Sequence, residues 1–98
     1  MKITSKQYGE LEFPDALTQE ELEKYWQNLH DITTEGGENK ENKEDGWRSP
    51  AAFRRITCRA AMRMGWIKEP NWADAKAITW IGKSINDYIA SYEIVSPN

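Results

Sequence analysis

Apolar residues in this chain alternate at first and later recur every three or four positions, so the pattern passes from strand to helix. Ile3 and Ser5 alternate with Thr4 and Lys6, and Leu11 and Phe13 alternate with Glu10 and Glu12. Gly9 separates the two runs and can take the positive φ of a tight connection, while Pro14 ends the second. Residues 1–14 are therefore predicted to form a β-hairpin. A two-stranded hairpin is marginal alone in water, so its apolar face must lie on a helix.

Thr18 followed by Glu21 is a capping box, and Leu17 with Leu22 fits a hydrophobic staple around it. Leu22, Tyr25, Trp26 and Leu29 then give one apolar stripe, which predicts a helix over 18–30. His30 falls at its end, where a positive charge would complement the helix dipole. From 31 to 47 the chain is acidic and polar, with Ile32 its only large aliphatic residue. Such a segment cannot offset the entropy of ordering, and it is read as a mobile loop.

Ser49 as N-cap and Pro50 at the first helical position open a second helix, predicted over 49–67. At 100° per residue, Phe53, Ile56, Ala60, Met64 and Ile67 share one face. Arg55, Arg59, Met62 and Trp66 fall on the opposite face. Gly65 is placed to weaken or end the helix. Beyond Pro70 a last helix is predicted over 71–94, with Asn71 as its cap. Ala75, Ile78, Ile81, Gly82, Ile85, Tyr88, Ile89 and Tyr92 form its apolar stripe, and the bare Gly82 would admit a neighbouring backbone. Trp80 points away from that stripe, among Lys76, Lys83, Ser84 and Asp87. The fold class that follows is α+β: a short N-terminal hairpin packed on a three-helix, mainly helical single domain.

At 98 residues and 39% hydrophobic content the core must be thin. Aromatic side chains, each burying on the order of 150–250 Å², must supply much of it. Trp26, Trp66, Trp72, Tyr88 and Tyr92 are the expected contributors. The lone Cys58 excludes an intramolecular disulfide and points to a reducing compartment. No signal peptide or membrane span is expected, so the cytoplasm is the expected location. The net charge of −3 conceals an asymmetry. Residues 1–47 carry five Lys against twelve Asp and Glu, and residues 48–98 carry eight Lys and Arg against four. Such halves can steer partners or neutralise each other.

Catalysis is not expected. Cys58 lies mid-helix, nothing brings His30 to it, and neither zinc-ligand spacing nor a phosphate-binding glycine loop is present. No metal or cofactor is expected either. Nucleic acid is a candidate partner through the arginine-rich helix, with Trp47 or Trp66 stacking on bases, but the acidic whole argues against it. Protein contact fits better, because Trp, Arg, Met and Tyr dominate interface hot spots. The expected partner-binding set is Arg55, Arg59, Met62, Trp66 and Trp80. A second copy of the chain is an admissible partner, and a membrane is not.

The layout resembles small tail-assembly chaperones and tail accessory proteins of long-tailed bacteriophages. The likeness lies in the Lys2–Phe13 strand pair, the Thr18–Leu29 helix, a polar middle and a last helix carrying Ala75, Ile78, Trp80, Ile81, Ile85 and Tyr88. The resemblance implies a non-enzymatic protein in the host cytoplasm that transiently binds the tape-measure protein or another tail component. Arg55 and Arg59 would then meet acidic residues of that client. A phage-encoded inhibitor docking on a host complex, or a nucleic-acid helper, are the alternatives.

Overall fold

The computed structural model describes residues 1–35 and 50–95. Strands β1 (Lys2–Ser5) and β2 (Gly9–Glu12) pair antiparallel with Ile3 opposite Leu11. Gly9, at φ 98°, makes the expected left-handed turn residue. The Ser5 hydroxyl accepts from the backbone N–H groups of Gln7 and Tyr8 and braces the turn. Leu11 and Phe13 are buried, whereas Glu10 and Glu12 are exposed, as the alternation requires.

Helix α1 (Gln19–Glu35) begins on the capping box. The Glu21 N–H donates to the Thr18 hydroxyl at 3.1 Å, and the Thr18 N–H donates to the Glu21 carboxylate at 3.2 Å. Leu17 and Leu22 are both buried at this end. The helix continues past 30, so residues 31–35 belong to it and not to the loop. The reason is Ile32, which is buried and extends the stripe of Leu22, Tyr25 and Leu29 by one turn. The Gln27 amide on Asp31 ties this added turn to the one before it, and the Thr33 hydroxyl donates to the Leu29 carbonyl. His30 consequently lies inside the helix, exposed, with Nδ1 3.8 Å from Asp31. Trp26, assigned to the buried stripe, is 45% exposed and meets only the edge of the apolar face through Tyr25. The rest of the acidic segment, with Trp47, Arg48 and the expected cap Ser49, lies outside the described residues.

Helix α2 (Pro50–Arg63) packs against both α1 and α3 (Ala75–Val95). It is the central layer, and this explains why its sequence is apolar on more than one side. Ala52, Ile56, Thr57, Cys58, Ala60 and Ala61 are all buried, spanning well over half of its circumference. At Gly82 of α3 the two helices approach closely: a Cβ there would sit 3.6 Å from the Arg54 Cα. The sequence expectation for this glycine holds.

Two helix ends differ from the predicted bounds. α2 stops at Arg63 instead of 67. Gly65, at φ 78°, takes the left-handed position, its N–H donates to the Met62 carbonyl, and the Trp66 N–H donates to the Ala61 carbonyl. That pair of bonds is a Schellman ending. α3 starts at Ala75 instead of 71. Asn71 closes a preceding turn, accepting from Ala73 and Asp74, and Asp74 is the cap whose carboxylate accepts from the Ala77 N–H at 3.1 Å.

Four aromatic rings from different parts of the chain form the hub of the core. Trp66 stacks on Tyr25 of α1 at 5.4 Å and meets Phe13 and Tyr88 edge-on. Phe13 and Tyr88 stack at 4.7 Å, and the Tyr88 hydroxyl donates to the Pro14 carbonyl at 2.8 Å. The hairpin, α1, the α2–α3 connection and α3 thus each contribute one ring.

Candidate partner-binding site

The outward part of α2 is narrow. Ala51, Arg55, Arg59, Met62 and Arg63 occupy a wedge of about 120° at the helical repeat, and the remaining directions are covered by α1 and α3. Arg55, Arg59 and Met62 are half-buried, and Arg63 is exposed. The structure therefore brings together three of the five residues predicted from periodicity and adds Arg63 beside them. Arg59, Met62 and Arg63 line a shallow depression of about 320 Å³.

Trp66 does not belong to this face. It is 7% exposed and sits in the aromatic hub. The 100° rule that placed it behind the core assumes an unbroken helix, and the Gly65 ending turns the chain before Trp66 is reached. A different tryptophan takes the aromatic place in the strip. Trp72, expected in the core, is half-buried, and the Arg59 guanidinium lies 4.7 Å from its ring centroid. This cation–π contact restrains a long flexible side chain. The Trp72 indole N–H donates to Glu69 at 3.0 Å, which fixes the ring beneath the arginine. Periodicity could not find Trp72, because the helix predicted over 71–94 includes it, whereas it belongs to the Asn71 turn that precedes the helix.

Trp80 lies on a separate surface. It is half-buried on α3, its ring 5.8 Å from Tyr8 of the hairpin turn, and the two rings with Lys76, Thr79 and Lys83 border an open groove of about 360 Å³. Its exposure is smaller than its sequence setting implied, because Tyr8 covers one side of the ring.

The nucleophile candidate is sealed. Cys58 is wholly buried, and burial pushes its thiol up to about 11, with the neighbouring Arg59 charge acting in the opposite sense. At neutral pH it is a protonated packing group. Burial likewise raises the Tyr25 phenol well above its ordinary range, a rise opposed by the nearby Thr57 hydroxyl. Among the described residues no group of three His, Cys, Asp or Glu side chains is placed to hold a metal. No described helix is long and apolar enough to cross a membrane. No protein-family model matches the chain, and neither curated proteins nor solved structures yield a match.

Proposed function

We propose that this chain is a non-catalytic protein-binding module that receives an acidic segment of its partner on Arg55, Arg59, Met62 and Arg63. The observation that carries the reading is the α2 strip itself. A helix buried in most directions keeps one outward wedge, and that wedge is arginine-rich with Trp72 fixed beneath Arg59. Arginine, methionine and tryptophan are residues that interfaces favour. Catalysis is left out of the proposal because Cys58 is sealed in the core and His30 lies exposed on α1. Assembly of a phage tail is the setting we propose, and it rests on the layout resemblance alone.

The test is capture by the intact chain from infected cells, followed by cross-linking. A tail protein cross-linked beside the α2 strip, and lost from an Arg55→Glu/Arg59→Glu variant with unchanged circular dichroism, supports the reading. Capture that survives the double reversal overturns it. A variant that unfolds would assign the arginines to the framework, and salt-sensitive oligonucleotide binding would move the function to nucleic acid.

A further inference from the structure

The hairpin has a free edge that opens into the larger of the two grooves beside Tyr8. In an antiparallel pair, residues alternate between exchanging both main-chain bonds with the partner strand and pointing those groups outward. Here Met1 and Phe13 exchange both bonds, and the register runs Ile3 with Leu11 and Ser5 with Gly9. The odd positions therefore hold the ladder. The N–H and C=O groups of Glu10 and Glu12 face out from the edge of β2, and among the described residues they have no hydrogen-bond partner. Beside this edge runs a groove of about 470 Å³, whose other wall is the α2–α3 connection at Ile67, Lys68 and Glu69 and whose apolar lining includes Leu11, Trp66 and Ile81.

An unpaired edge with an apolar floor and a second wall is the arrangement that accepts an added strand. Charge selects the occupant. Glu10, Glu12 and Glu69 line the groove against one lysine, Lys68. Lys2 lies 3.7 Å from Glu10, but among the described residues Glu12 has no ion pair. A second copy pairing edge to edge about Leu11 would set Glu10 opposite Glu12 twice, and like charges directly opposite are unfavourable. We infer that β2 docks an extended basic segment of another protein by strand addition. Its apolar side chains share the Leu11 face, and its lysines or arginines lie on the face of Glu10 and Glu12. This surface is separate from the α2 strip, opposite to it in charge, and does not depend on the function proposed above.

The probe is the peptide acetyl-Lys-Val-Lys-Val-Lys-amide, titrated into the intact chain with amide exchange followed residue by residue. Exchange at Glu10 and Glu12 is expected to slow at least tenfold, with the far edge at Thr4 unchanged. Glu12→Pro removes an outward N–H without touching the ladder, and Leu11 before it is already extended. It should weaken binding at least tenfold, whereas Thr4→Pro, the matched change on the other edge, should not. If Glu12→Pro fails to fold, Glu10→Lys/Glu12→Lys decides: affinity for the basic peptide falls at least tenfold and preference shifts to acetyl-Glu-Val-Glu-Val-Glu-amide. No binding at millimolar peptide, protection at Thr4 in place of Glu12, or equal affinity in the charge-reversed chain overturns the inference. Protection that grows with protein concentration and no peptide would assign the edge to a second copy and overturn it equally.

Discussion

Replacing Trp66 by Ala separates a core residue from an interface residue. Trp66 is 7% exposed and touches three other rings, stacked on Tyr25 at 5.4 Å and edge-on to Tyr88 at 5.7 Å and Phe13 at 6.1 Å. An indole removes about 150–250 Å² from water, which at about 25 cal/mol per Å² corresponds to ~4–6 kcal/mol. Most of that would go with the ring, and measured Trp-to-Ala changes in cores cost about 3–5 kcal/mol. A loss of about 4 kcal/mol is expected here. A chain of this size has a total stability of about 5–15 kcal/mol, so the variant would be marginal, with its melting temperature lowered by ~20 °C or more. Trp66→Phe, which keeps a ring against Tyr25, should lose less than half as much. Urea unfolding followed by far-ultraviolet circular dichroism is the proper assay, since removing an indole alters the fluorescence baseline. A loss below about 1 kcal/mol for Trp66→Ala would refute the hub and return Trp66 to the outward face of α2.

Three further outcomes follow from buried groups. Thr57 is wholly buried, and its hydroxyl, although near the Tyr25 phenol, makes no hydrogen bond of proper geometry among the described residues, so Thr57→Val should raise stability by about 1 kcal/mol in urea unfolding; a loss instead would mean that its contact with Tyr25 is a full hydrogen bond. At Gly82 an added Cβ would sit 3.3 Å from the Arg54 Cγ. Gly82→Leu should therefore cost about 2 kcal/mol by thermal unfolding, while Gly82→Ala stays within ~1 kcal/mol because gained helix propensity offsets the squeeze; a neutral Gly82→Leu would disprove the close approach. The Cys58 thiol, raised from 9.0 to about 11, favours the protonated folded state. Its contribution is full below pH ~9 and is lost as pH rises through ~11, a fall of about 3 kcal/mol. Urea midpoints from pH 8 to 11 should show a shallower decline in Cys58→Ala, and identical slopes would sink the assignment.

Local patterns read well from the chain, and tertiary ones less so. The hairpin with its Gly9 turn, the Thr18–Glu21 box and the role of Gly82 depend on neighbours in sequence or on a missing side chain, and each was legible. The added turn of α1 was not, because Ile32 is a single apolar residue in a polar run and gains its place only by packing. The excess apolar surface of α2 was visible, but its meaning depends on how many helices surround it. A helix between two others needs apolar residues on both sides, and periodicity alone reads the second side as a surface for a partner. Arg55, Arg59 and Met62 were placed on one shared face because the helix is regular that far. Trp66 was misplaced and Trp72 missed because both follow the Gly65 break, where spacing no longer maps onto direction.

The hub also sets an order of events. The Tyr88 hydroxyl reaches the Pro14 carbonyl across a separation of 74 residues, and Tyr88 covers Phe13. During synthesis the hairpin leaves the ribosome before the helices, but a strand pair alone is marginal. Its covering ring is translated near the end of the last helix. The hairpin thus waits for segments made after it: Trp66 meets Phe13 only edge-on, and the stacked cover over Phe13 comes with Tyr88.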